Sequence, residues 1–131
     1  MKFCNDFKNV NEVVSGLPKE DLLNICNGNF KESPYTKYRL CLVIEGISIG
    51  FVEIYNLPGE EYEFIVIAIK PNYRGKGYSH VLLDKMFNEY NSRFPYLWRC
   101  DKKNYSSICL AKKYNFIMIN ETETKYEFER K

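Results

Sequence analysis

The stretch that most limits what this chain can become is residues 64–90, FIVIAIKPNYRGKGYSHVLLDKMFNEY. Phe64 to Ile69 is a short run rich in β-branched residues and reads as a buried strand. Pro71 closes it, because proline brings no N–H to a ladder and disfavours helix at the preceding Lys70. Arg74-Gly75-Lys76-Gly77-Tyr78-Ser79 follows. Leu82, Leu83, Met86, Phe87 and Tyr90 then recur at helical spacing, with Asp84, Lys85, Asn88 and Glu89 off that face. A basic, glycine-rich loop therefore joins a buried strand to a helix start. Backbone N–H groups without helical acceptors meet the positive end of the helix dipole there, which favours an anion.

Elimination narrows the choice of anion site. A dinucleotide fingerprint needs glycine or alanine three residues after Gly77, where His80 stands, and no Gly-Lys-Ser/Thr run provides a Walker loop. What remains is Arg74-x-x-Gly77-x-Ser79 behind a strand, with Lys76 inside it. This resembles the pyrophosphate loop of the GNAT superfamily of acyl-CoA-dependent N-acyltransferases, written Gln/Arg-x-x-Gly-x-Gly/Ala. Ser79 departs at the last position but is small enough for close approach. The plainer reading is a glycine-rich connector, and two glycines flanking a lysine at a helix start favour the anion site over it.

The rest of the chain sets the frame. At 131 residues the reading is one domain over 1–131. A net charge of +2 is too small to argue for nucleic acid by itself. No apolar run reaches membrane-spanning length and the first residues lack a secretory core, so a cytoplasmic protein is expected. Cys4, Cys26, Cys41, Cys100 and Cys109 are widely spaced, without metal-like pairing, and read as free thiols. His80 is the only histidine, sits at a helix start, and reads as a surface or loop residue rather than a base.

Taken in order, a short helix is expected near Val10–Leu17 and a second from Pro18 through Cys26, ended by Asn27 or Gly28. Residues 27–36 read as loop. Tyr38–Glu45, Ile47–Tyr55 and Glu61–Ile69 are expected as an antiparallel meander, with turns at Gly46 and at Leu57-Pro58-Gly59-Glu60. The helix Ser79–Asn91 follows, and Tyr96–Cys100 is a strand set beside Glu61–Ile69 by that crossover. In Asn104 to Phe116, Ser106 or Ser107 can cap a helix with Ile108, Ala111 and Cys109 inward and Lys112 and Lys113 in its last turn. Asn115 suits the left-handed position after it. Phe116–Ile119 and Thr124–Phe128 close the chain as two strands around a turn at Asn120-Glu121-Thr122.

That order is similar to the GNAT arrangement over roughly residues 38–131, with a short N-terminal part. The resemblance implies an α+β fold: a mixed, mostly antiparallel central sheet flanked by helices, with a splayed parallel strand pair holding the cofactor. A later GNAT motif, an asparagine before a helix ending in Gly-Phe, is matched by Asn104 and Phe116, with Asn115 in place of the glycine. Many members carry a tyrosine five residues before that phenylalanine to protonate the departing thiolate. Here the position is Ala111, and Tyr105 and Tyr114 are the nearby tyrosines.

The resemblance further implies acetyl-CoA as co-substrate and no metal. Backbone groups of Gly75, Lys76, Gly77, Tyr78 and Ser79 would hold the pyrophosphate, with Arg74 and Lys76 adding charge. The strand of Ile67 and Ile69 would pair with the cofactor arm, and Asn104 would contact it. A carboxylate must help neutralise the acceptor ammonium. Glu63 is the first candidate, because strand alternation groups it with Ile65, Ile67 and Ile69, and Glu53 is the second. The leading reading is an N-acetyltransferase acting on a primary amine of a small molecule or peptide; a homodimer is compatible with it, and no membrane partner is expected. A non-catalytic acyl-CoA-binding module is the alternative raised by Ala111. An RNA-directed protein using Lys102, Lys103, Lys112 and Lys113 is a third and weaker reading.

Overall fold

The structure, a computed structural model, describes residues 1–26 and 30–131. Its centre is a seven-stranded sheet in the order β1-β2-β3-β4-β5-β7-β6. β1 (Lys2–Cys4) lies antiparallel to β2 (Thr36–Ile44), which hairpins into β3 (Ile47–Tyr55). Glu45 and Gly46 make that turn with φ of 51° and 78°, the backbone sense that matches strand twist in a two-residue loop. β3 pairs antiparallel with β4 (Glu63–Ile69) from Gly50 to Tyr55. Gly50 is where the two strands are tightest, since a Cβ there would lie 2.5 Å from Cδ1 of Ile69.

The exceptional pair is β4 with β5 (Tyr96–Asp101). It is parallel and holds register only at Glu63↔Tyr96 and Phe64↔Leu97. Beyond Phe64 the strands part. β5 instead pairs over its whole length with β7 (Lys125–Arg130), which carries the edge strand β6 (Ile117–Glu121).

Helices cover both faces. α1 (Phe7–Ser15) is capped by Asp6, whose carboxylate accepts from the Lys8 N–H at 3.0 Å. It buries Val10 and Val13 against Cys41 and Phe51, and Ile25 of α2 (Lys19–Cys26) packs on the same cluster. On the other face, α3 (Tyr78–Glu89) buries Leu82, Leu83 and Met86 completely. Each such side chain stabilises the fold by about 1.5–3 kcal/mol. α4 (Tyr105–Lys113) adds Ala111 to that core, with Phe116 and Trp98 edge to face at 5.3 Å beyond it.

Several expectations are corrected. β1 is an element for which the sequence set no expectation; three residues give no usable alternation, and β2 supplies the ladder that forms the strand. Asn104 caps α4, not Ser106 or Ser107, its Oδ1 accepting from the Ser107 N–H at 3.2 Å. Cys109 is exposed, two residues before Ala111 and so across the helix from the inner face that Ala111 occupies. β6 runs through Asn120 to Glu121, because a register shift between Met118 and Asn120 lengthens it and moves the turn onward. Asn115 does take the left-handed conformation, with φ of 66°. The helix end expected at Asn27 or Gly28 lies outside the described residues. Among the described residues no helix is long and apolar enough to cross a membrane.

Candidate functional site

The glycine loop and the parted strands build one site. After β4 the chain makes a single 3-10 turn, Pro71–Tyr73, and enters α3 through Gly75 and Gly77, with φ of 76° and 83°. Gly77 is the N-cap of α3, no side chain caps the helix, and no acidic residue occupies its first turn. The left-handed backbone turns the first amides of the helix outward, and only glycine adopts it at no steric cost. A Cβ on Gly75 or Gly77 would meet nothing within 4 Å, so the backbone at both glycines borders open space.

That space is a cavity of about 440 Å³. Ile67, Ile69, Arg74, Gly75, Gly77, Tyr78, Ser79 and Asn104 line it, gathering every residue expected to hold the cofactor except Lys76. The Lys76 ammonium lies 5.7 Å above the Tyr73 ring at the cavity's margin. Arg74, expected to add charge at the loop, is held by two partners. Its Nε donates to the Ile69 carbonyl at 2.8 Å and its Nη2 to Asp21 Oδ2 at 2.7 Å. It latches the loop to β4 and to α2.

The backbone of β4 supplies the second half of the site. Lys70 donates its N–H to Ile49 of β3, whereas Glu63 donates toward β5, to the Pro95 carbonyl. Alternation then directs the main-chain groups of Ile65, Ile67 and Ile69 toward β5 as well. Ile65 still reaches the paired end of β5, and beyond it β5 has parted, so the groups of Ile67 and Ile69 border the gap. Arg74 takes the Ile69 carbonyl.

A second cavity, of about 660 Å³, opens against the sheet face that α1 and α2 cover. Phe30, Tyr55, Leu57, Phe64, Val66 and Lys125 are among its walls. It shares Ile25, Ile67, Trp98, Asn104 and Ser107 with the first. The two cavities therefore meet through the gap between β4 and β5.

The residues considered for proton transfer fall in four places. Glu63 is 3% exposed and accepts from the Tyr90 hydroxyl and, at 3.0 Å, from Ser92 Oγ. It lines neither cavity. Burial, and then the bond to Glu63, raises the Tyr90 hydroxyl pKa above its ordinary value. Glu53 points to the other face and is fully buried, accepting from Arg39 Nε at 2.8 Å and from the Tyr55 hydroxyl at 2.5 Å. Through Tyr55 it is coupled to the second cavity. Both glutamates are thus buried and hydrogen-bonded.

Tyr105 is 74% exposed at the start of α4 and lines neither cavity. The Tyr114 hydroxyl donates to Asp84 Oδ1 at 2.6 Å, and burial followed by that carboxylate raises its pKa. It reaches the first cavity only through His80, whose ring stacks on it at 5.7 Å and lines the wall. Ala111 is completely buried. Among the described residues no group of three or more His, Cys, Asp or Glu side chains could hold a metal ion.

Ser107, Trp98 and Tyr55 are the site residues that sequence reasoning passed over. Trp98 Nε1 donates to Ser107 Oγ at 2.8 Å where the cavities meet. A serine in the first turn of a helix, a buried tryptophan and a strand-end tyrosine carry no spacing that marks them. The gap between the strands is what brings them together.

Comparison with known proteins agrees with this geometry. A family model described as the acetyltransferase (GNAT) family matches residues 10–116. No curated protein sequence matches the chain. Among solved structures, the chain is similar to an acetyltransferase of the GNAT family from Streptococcus pneumoniae, at a TM-score of 0.70 and 14% identity over 98% of each chain. It is also similar to the ribosomal-protein-S18-alanine N-acetyltransferase from Escherichia coli, at a TM-score of 0.72 and 11% identity over 98% of this chain and 92% of that one. PaiA N-acetyltransferase from Thermoplasma acidophilum, solved in complex with coenzyme A, matches 71% of this chain over 59% of its own, at a TM-score of 0.60 and 18% identity.

Proposed function

Because the chain belongs to the GNAT acetyltransferase family, we propose that it is an N-acetyltransferase, moving an acetyl group from acetyl-CoA to a primary amine of a small molecule or peptide. The observation that carries this reading is the parted β4–β5 pair, with an uncapped glycine loop at its head and a cavity on each side. One cavity suits a phosphate-bearing co-substrate and the other an acceptor, and the gap is where they would meet. The residues fit the co-substrate: Gly75 and Gly77 leave an open cradle of amides, and β4 offers unpaired main-chain groups to an extended arm.

Bound there, acetyl-CoA would supply the thioester. The chain's own part begins with the amides of Gly77, Tyr78 and Ser79, which would hold the pyrophosphate, helped by Lys76. A main-chain N–H of Ile67 or Ile69 would polarise the carbonyl, as a preorganised donor where charge develops. Asn104 spends its side-chain carbonyl on the α4 cap, so its amide N–H is what it offers the arm.

The acceptor must lose a proton, since an alkyl ammonium has a pKa of about 10.4 and no free lone pair. The Tyr55 hydroxyl with Glu53 behind it is the group best coupled to the acceptor cavity. Glu63, enclosed by Tyr90 and Ser92, is the other carboxylate to test.

The test is release of free CoA thiol from acetyl-CoA on a panel of polyamines, aminoglycosides, amino acids and peptides, with product identified by mass. Transfer to any amine above the rate of hydrolysis supports the reading. Ala111 favours a second one, a CoA-binding module without turnover. Tight CoA binding with no transfer across the panel would establish that instead.

A further inference from the structure

We infer that Ser107 is the hydrogen-bond donor to the departing sulfur, taking over at α4 the task that a tyrosine at position 111 would have. The inference deepens the N-acetyltransferase reading and rests on it. Ser107 stands four residues before Ala111, one turn away on the same face of α4. Helical side chains lean back toward the N-terminus, so a tyrosine at 111 would extend over the turn that Ser107 occupies. Here Ala111 is sealed in the core and Ser107 lines both cavities.

The orientation of the hydroxyl is set from behind. Trp98 Nε1 donates to Ser107 Oγ at 2.8 Å, and an indole N–H only donates, so the serine's own hydrogen must point elsewhere. Asn104 fixes the serine's backbone by capping its N–H. The hydroxyl also bears on the Cys100 thiol, lowering a pKa that burial chiefly raises. A thiolate is a far better hydrogen-bond acceptor than a thiol.

The step balances without a co-reactant. The amine nitrogen forms its bond to the acyl carbon and releases one proton to water, as the carbon–sulfur bond breaks and the electron pair goes to sulfur. Ser107 stabilises that charge by hydrogen bonding and keeps its proton, and the thiolate is protonated from water. A thiol of pKa about 8.5 needs no stronger acid to leave.

The measurement is binding rather than turnover: the affinity for CoA relative to desulfo-CoA, which lacks only the sulfur, from pH 6.5 to 9.5. Titratable and charged groups lining the two cavities are Asp21 on α2, Lys31 and Glu32 before β2, Tyr55 on β3, Tyr73 and Arg74 after β4, Tyr78 and His80 on α3, Arg99 and Cys100 on β5, Cys109 and Lys113 on α4 and Lys125 on β7. Apart from Cys100 and Cys109, whose ionisation is controlled by repeating the series in Cys100→Ala and Cys109→Ala, these act on the shared parts of both ligands and cancel in the ratio. In the wild type the ratio should rise by about 10- to 100-fold as the thiol ionises, the range for a hydrogen bond to a charged group. Ser107→Ala should flatten that rise and lower kcat with KM held, and Ser107→Thr should restore both.

If Ser107→Ala fails to fold because the indole is orphaned, Ser107→Ala with Trp98→Phe removes donor and acceptor together and must flatten the rise equally. A rise that survives loss of the hydroxyl overturns the inference and leaves the enzyme reading standing. Absence of CoA binding in the wild type overturns both.

Discussion

At the scale of single residues, the site depends on one backbone conformation and on how carboxylates are held. Gly77 combines a φ of 83° with open space where its side chain would be. Gly77→Asp would both strain that conformation and set a negative charge among amides turned toward an anion. Acetyl-CoA should raise the wild-type melting temperature, because a ligand bound only by the native state stabilises it by mass action. The variant should fold and show no such shift; a normal shift would mean that the loop is not the anion site. The glutamates divide in the same way. Glu53→Gln keeps the Tyr55 and Arg39 contacts in shape but removes basicity, so kcat at neutral pH should fall by about 10²–10⁴-fold and partly recover as pH frees the amine. Glu63→Gln should chiefly lower the melting temperature, by disturbing a buried acceptor shared by Tyr90 and Ser92. A reversal of these two outcomes would move the base to Glu63.

At the scale of elements, what was legible in the sequence was what repeats or punctuates. β3 shows as Ile47–Tyr55 because a run rich in strand formers stands between two turns, and α3 because its apolar stripe is complete. Asn115 was readable because few residues tolerate the left-handed position. The parallel neighbour of β4 followed from a helical crossover. β1 was not legible, having three residues and a ladder supplied from 40 residues away. The Asp21–Arg74 latch was not legible either, since it joins α2 to a loop 53 residues on. Alternation correctly grouped Glu63 with Ile67 but could not tell that Tyr90, at the end of α3, would enclose it. The latch has a measurable consequence. It is partly exposed on both sides, so Asp21→Asn should change stability by less than about 1 kcal/mol. Its carboxylate also borders the anion cavity. Removing that charge and freeing the guanidinium should tighten CoA binding several-fold, read by calorimetry. Weaker binding would show that the latch is needed to hold the loop in place.

At the scale of the whole molecule, three tyrosine hydroxyls join distant parts of the chain and share one electrostatic state. Tyr38 meets Glu89, Tyr90 meets Glu63 and Tyr114 meets Asp84, and in each case burial first and the carboxylate second raise the pKa. Unfolded tyrosines ionise near a pKa of about 10, and these folded ones ionise higher. Above pH 10 the folded state therefore holds more protons than the unfolded one, so stability is intact below that pH and is lost as it rises. Melting temperatures measured from pH 8 to 11 should stay level and then decline, with a shallower decline in Tyr114→Phe. An unchanged decline would mean that Tyr114 does not contribute. The parted strands have a different consequence. Strands β1 to β4 lie on one side of the gap, β5, β7 and β6 lie on the other, and the segment 70–95 that carries α3 links the two groups. The line that divides the sheet is also a line that divides the sequence. A ligand seated there would splint two contiguous fragments, and a chain cut between Glu89 and Tyr96 would make reassembly of the halves itself a report of what is bound.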